Sequence, residues 1–182
     1  MGADARLTEL GLELPTPPRP LANYVTAARS GTLLFLSGHG PVREGRVLYQ
    51  GTVGRNLTIE EGQAAARLTG LNLLASARDA LGSLDRVRRV VKLFGMVRCA
   101  EDFVEHPKVI NGCSDLMVEV FGDAGRHARS AVGMGSLPFG VAVEIEMILE
   151  VSGSATGRGR RRRRTAARPA RRAPSRPARR RS

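Results

Sequence analysis

Apolar and polar positions alternate most regularly near the end of the body of the chain. In VAVEIEMILEV, residues 141–151, Val141, Val143, Ile145, Met147, Leu149 and Val151 fall on one face and Ala142, Glu144, Glu146, Ile148 and Glu150 on the other. A period of two predicts a strand with a buried face and a partly polar one. TLLFLSGHGP (32–41) is a short apolar run closed by a Gly-rich turn, and VRRVVKLFGMV (87–97) is rich in β-branched residues, so both read as strands. VREGRVLYQG (42–51) reads as a small hairpin about Glu44-Gly45, and a further strand runs from about Arg129 to Met134.

Helical spacing occurs twice. Thr58-Ile-Glu-Glu61 is a capping box, Ala65, Leu68, Leu71, Leu74 and Ala75 follow at intervals of three and four, and Gly82 provides a left-handed stop. A second helix begins at Pro107 and ends at Gly122, with Val109, Cys113, Leu116, Val120 and Phe121 turned inward. The Pro-rich ELPTPPRP (13–20) predicts an extended lead-in. The order predicts an α+β domain, a mixed β-sheet with two helices on one face, whose other face is apolar enough to need covering by self-association.

Charge changes this picture only at one end. Of the 29 Lys+Arg that give a net charge of +12, 13 are the arginines of residues 152–182, and the remaining 16 stand against 17 acids in residues 1–151. The predicted division is a folded domain over 1–151 and a disordered Arg/Pro/Ala-rich tail over 152–182. Such a tail suits unspecific, salt-dependent polyanion binding, or is a dispensable extension. No stretch has the length of a membrane span, and the first residues lack a signal-peptide layout. Cys99 and Cys113 have neither zinc nor disulfide spacing, so a reducing cytoplasmic setting is expected.

Metal-binding, nucleotide-binding and nucleophile motifs are missing from the sequence, and His39, His106 and His127 are scattered and read as satisfied or surface histidines, His127 sharing the surroundings of Arg129. What remains is Arg129 with Glu144. If GSLPFG (135–140) joins its flanking strands as a hairpin, Arg129 lies opposite residue 146 and diagonal to Glu144. The pair is then either an ordinary cross-strand ion pair or a carboxylate grip beside a water-holding carboxylate.

HARSAVGMGSLPFGVAVEIEMI (127–148) resembles the signature of the RidA/YjgF family: an Ala-Arg-Ser segment, a Leu-Pro turn and a Val-x-Val/Ile-Glu-Ile-Glu strand. ANYV, LLFLSGHGPV, GTVGRNLT and LNLLASARDALGSLDRVRRVVKLFGMV look like earlier segments of the same family, so the likeness spans about residues 10 to 151. The resemblance implies a chorismate-mutase-like fold, a homotrimer with interface pockets, and cofactor-free hydrolysis of reactive 2-imino acids to 2-oxo acids and ammonia. By position it implies that Arg129 grips the substrate carboxylate, Glu144 orients water, and Tyr24, Ser37 and Gly38 line the site. Ala131 stands where several members carry cysteine, and Asp115 where imine deaminases often carry asparagine, which puts Asp115 among the expected substrate-binding residues. Two other functions are alternatives: a trimer that binds small carboxylates or protects proteins without turnover, and, with electrostatic support confined to the 152–182 tail, an RNA-binding protein or endoribonuclease.

Overall fold

The computed structural model describes residues 2–17 and 22–153. Its elements in chain order are α1 (Ala3–Glu9), β1 (Ala27–Ser30), β2 (Leu33–His39), β3 (Val42–Arg43), β4 (Arg46–Val47), α2 (Ile59–Leu81), β5 (Val87–Arg98), α3 (His106–Phe121), β6 (Ala128–Met134) and β7 (Val143–Val151). The arginine-rich stretch from 154 onward, and residues 18–21 of the Pro-rich segment, lie outside the described residues.

Local chemistry sets most element boundaries. Thr58 accepts from the Glu61 amide at 3.1 Å while the Glu61 carboxylate accepts from the Thr58 amide at 2.8 Å, and Gly82 ends α2 at φ 81°. Both central residues of the β3–β4 turn have positive φ, 51° at Glu44 and 73° at Gly45, the twist that a tight hairpin requires. α1 was not expected from the sequence, because its seven residues carry no side-chain cap of their own. Its cap is tertiary: Asp85 Oδ1 accepts from the Asp4 amide at 3.0 Å, and in return Asp4 Oδ2 caps the turn after α2, accepting from Ser83 Oγ at 2.6 Å and the Leu84 amide at 3.1 Å. Residues 12–17 that follow have no regular structure, in keeping with their prolines.

The main sheet has the order β1-β2-β7-β5-β6, with β5 parallel to β6 and every other pair antiparallel. The expected β6–β7 hairpin does not form. β5 lies between these strands, pairing Leu93 with Arg129 on one side and with Met147 on the other. The GSLPFG segment instead passes the end of β5 in a 3₁₀ turn, with Phe139 at φ 55°. There Arg98 donates its backbone amide to the Ala142 carbonyl at 2.8 Å and its Nη1 to the Gly140 carbonyl at 3.3 Å. A twelve-residue strand that pairs along its length with both β6 and β7 outcompetes a direct β6–β7 hairpin across a six-residue connection.

α2 and α3 cover one face, burying Val143, Ile145, Met147, Leu149 and Val151 of β7 with Val90, Leu93 and Val97 of β5. Val109, Cys113, Leu116 and Val120 of α3 are buried as their spacing predicts. The helices cross closely at Gly112, where a Cβ would overlap the Gln63 backbone carbonyl. Gly112→Ala is therefore expected to lower stability by about 2 kcal/mol or more, since backbone cannot yield as a flexible side chain would. A urea midpoint equal to that of the parent would contradict this packing. Among the described residues nothing covers the opposite face: Phe35 is 41% exposed and Val132 36%, and Lys92 donates to Ser130 Oγ at 2.9 Å between them. Among the described residues no helix is long and apolar enough to cross a membrane.

Candidate functional site

A bulge in β2 builds one wall of a cavity between the β2–β3 connection, α2 and the start of β7. Pairing with β7 passes from Leu36–Met147 directly to His39–Ile145, so Ser37 and Gly38 together oppose a single β7 residue. Ser37 Oγ donates to the Val25 carbonyl at 2.7 Å and is held in place by it. The bulge turns Gly38 toward Glu144, and a Cβ at Gly38 would occupy the position of Glu144 Oε1. The glycine matters here through close approach rather than an unusual φ: a Cβ would displace the flexible end of the Glu144 side chain.

Two side chains not foreseen as site residues fasten this wall to α2. His39, only 4% exposed, donates from Nδ1 to the Ser37 carbonyl at 2.6 Å and accepts at Nε2 from Ser76 Oγ at 2.8 Å. The carbonyl can only accept, which fixes this tautomer. Burial pushes the His39 pKa down, in keeping with a neutral, structural imidazole. Asn72 Nδ2 donates to the carbonyls of Val42 at 2.8 Å and Leu68 at 3.0 Å, holding the chain after β2 against the helix. Both residues line the cavity, and neither has a sequence motif that would have singled it out.

The cavity, of about 200 Å³, contains four of the expected residues: Tyr24, Ser37, Gly38 and Glu144. Val42, Val47, Val141 and Phe139 give it an apolar surround, and Phe139 (66% exposed) and Tyr24 (49% exposed) stand at its rim. Among the described residues Glu144 is its one charged lining residue. Burial pushes the Glu144 carboxyl up, and the neighbouring Glu146 carboxylate adds to the shift. Among the described residues no basic side chain forms an ion pair with Glu144.

Arg129 is elsewhere. Its Nη1 donates to Asn111 Oδ1 at 2.8 Å and to Ser114 Oγ at 3.0 Å, both on α3, which puts the guanidinium on the helix-covered side of the sheet. Glu144 is on the opposite side, with Glu146 and Ile148. β6 and β7 are also two strand spacings apart, about 10 Å, before any offset along the strands. The cross-strand neighbour relation expected from a hairpin therefore does not exist within one chain. Asp115 is exposed on α3 and outside the cavity. The asparagine that α3 presents to Arg129 is Asn111, four positions earlier, a one-turn displacement that helical periodicity left open.

One histidine does meet a cysteine: His106 Nε2 lies 3.2 Å from Cys99 Sγ, at the junction of β5 and α3. Burial pushes the Cys99 thiol up, and it drives the fully buried Cys113 to about 12, so both cysteines are protonated thiols at neutral pH. Among the described residues no three His, Cys, Asp or Glu side chains converge as a metal site would require.

Comparison with known proteins places this arrangement. The family model described as "YjgF/chorismate mutase-like, putative endoribonuclease" matches residues 4–155. The chain belongs to the YjgF/RidA family. Protein TCP17 of Trypanosoma cruzi is 46% identical over 149 residues, covering 81% of this chain and 93% of that protein. The crystal structure of Atu1372 from Agrobacterium tumefaciens is 46% identical with a TM-score of 0.77, covering 82% of this chain and 92% of its own. A "putative endoribonuclease" from Shewanella oneidensis is 36% identical with a TM-score of 0.80, covering 83% and 100%. The α+β fold with a mixed sheet is that of the YjgF/RidA family.

Proposed function

We propose that this YjgF/RidA protein hydrolyses 2-imino acids to 2-oxo acids and ammonia without a cofactor, in a cavity completed by Arg129 of the partner subunit in a homotrimer. The observation that carries the reading is Glu144: a carboxylate with no cationic partner among the described residues, held against a glycine in an apolar-walled cavity. Burying such a group is unfavourable to folding, which points to a use. The incompleteness of the site in one chain, with Arg129 and Glu144 on opposite faces, and the uncovered apolar sheet face both support a site shared between copies.

The chemistry asks little of the protein. The imine carbon is already electrophilic. Glu144 takes a proton from water as the water oxygen bonds to that carbon and the C=N π pair moves onto nitrogen, which takes up that proton; the new hydroxyl then gives its proton to nitrogen by way of Glu144 as the C–N bond breaks and C=O forms, leaving a 2-oxo acid and ammonia. Arg129 grips the substrate carboxylate through paired N–H donors and fixes the carbon over the water. Phosphate-backbone binding fits the cavity less well, since among the described residues of one chain its lining has a carboxylate and no Lys or Arg, and a single arginine from the partner subunit is not a basic track.

A coupled assay tests the reading: an amino-acid oxidase or dehydratase generates iminopropionate or iminobutyrate, and semicarbazide traps what remains. Added protein should lower the trapped fraction; decay no faster than the spontaneous rate overturns the proposal, and saturable binding of 2-oxo acids without turnover would leave a carboxylate-binding trimer. The pH profile adds a second check. Protonation removes the base, so kcat/KM falls as pH drops through the raised Glu144 pKa. Glu146→Gln deletes one of the two causes of that shift, and its acid limb is expected at lower pH than the parent's. Coincident limbs would dissociate the limb from Glu144.

A further inference from the structure

We propose that Ser114 and His127 are positioning residues that, with Asn111, orient the Arg129 guanidinium so that its Nε–Nη2 edge is the one presented to a substrate carboxylate. This rests on the reading of Arg129 as the carboxylate grip. A guanidinium has five N–H donors: two on each Nη and one on Nε. Both donors of Nη1 are used, one by Asn111 Oδ1 at 2.8 Å and one by Ser114 Oγ at 3.0 Å. Among the described residues Nε and Nη2 have no hydrogen-bond acceptor, and this side-on pair matches the two oxygens of a carboxylate.

The serine is itself oriented from behind. His127 Nδ1 lies 2.6 Å from the Gly125 carbonyl, which can only accept, so Nδ1 carries the proton and Nε2 of the neutral ring is an acceptor. Ser114 Oγ, 3.0 Å from Nε2, must then donate its single proton to His127, which turns its lone pairs to Arg129 Nη1. The relay runs from Arg129 through Ser114 and His127 to the Gly125 carbonyl, with each donor used once. His127 precedes Arg129 by two residues and so shares its side of the extended chain. Asn111 and Ser114 are three apart on α3 and share a helix face. Burial, with the Arg129 charge as a smaller cause, pushes the His127 pKa down, in keeping with the neutral ring the relay needs. A protonated ring would donate to Ser114 from Nε2 and place a second cation beside Arg129.

The experiment uses the full chain and 2-oxobutyrate as probe, with 2-oxobutanamide as the analogue lacking a carboxylate. Calorimetry gives Kd for both ligands, and the coupled assay gives KM and kcat for iminobutyrate. Ser114→Ala and His127→Phe should weaken 2-oxobutyrate by roughly fivefold to tenfold, the scale of one ordinary hydrogen bond, and should raise KM more than they lower kcat. Affinity for the amide should stay within about twofold, since its recognition does not depend on a fixed guanidinium edge. His127→Gln, whose side-chain carbonyl can accept the serine proton, should recover most of the loss. If Arg129→Ala abolishes 2-oxobutyrate binding while Ser114→Ala and His127→Phe bind like the parent, the positioning proposal fails and the carboxylate grip stands. If Arg129→Ala itself binds like the parent, the grip reading fails first. Equal loss of both ligands with a lower melting temperature would show that these residues only support the fold, and would also overturn the proposal.

Discussion

Glu144→Gln is expected to lower kcat for imine hydrolysis by about 10²- to 10³-fold, the range for loss of one general base, with a small effect on KM. The amide has nearly the shape of the carboxylate, so it fits beside Gly38 without rearranging the bulge. It cannot take a proton from water. The same substitution should stabilise the protein near neutral pH. The folded-state pKa of Glu144 is raised, so the penalty for holding it ionised is absent below its unfolded-state pKa and fully present above its folded-state pKa. Glutamine carries no such penalty, so the gain should appear at neutral pH and fade as the medium is acidified. Lower activity with higher stability is the pattern of a group kept for function. A variant that is both fully active and no more stable would remove Glu144 from the chemistry.

Arg129→Ala should reduce kcat/KM by about 10²-fold or more, mainly through KM, because a bidentate charge-assisted pair is lost. Arg129→Lys should recover little of it, since an ammonium lacks the planar fork that Asn111 and Ser114 orient. The opposite-face placement of Arg129 and Glu144 makes a sharper demand. If each site takes Glu144 from one copy and Arg129 from the next, coexpressing the Arg129→Ala and Glu144→Gln chains should restore activity. In random closed rings about one quarter of the sites then receive both parent residues. Absence of complementation, with mixed assemblies demonstrated, would place both residues in a single-chain site and contradict the shared cavity.

Most of the secondary structure was legible before folding because its signals are local. The Thr58 box, the Gly82 stop, the Glu44-Gly45 turn and the two-residue period of β7 each act within a few residues, and each is found where the pattern put it. α1 has no local signal because its capping carboxylate, Asp85, comes from across the fold, while Asp4 of α1 in turn caps the turn after α2. The Leu-Pro turn misled for a related reason. A short connection between two strands suggests a hairpin, yet nothing local records that β5 will insert between them. That insertion is decided by the long-range pairing of β5 with both neighbours.

The candidate site divides in the same way. Tyr24, Ser37 and Gly38 follow from the family resemblance, Glu144 and Arg129 stand out already as charges on β-structure, and all but Arg129 line one cavity. The α+β class, the residues of the core faces and the list of charged groups available for chemistry were thus determined by the sequence alone, since periodicity and residue type act locally. Tertiary structure alone decided that Arg129 and Glu144 face away from each other, that Asn111 rather than Asp115 meets the guanidinium, and that His127 and Ser114 stand behind it. Strand order and helix rotation set those relations, and both follow from packing between segments far apart in the chain.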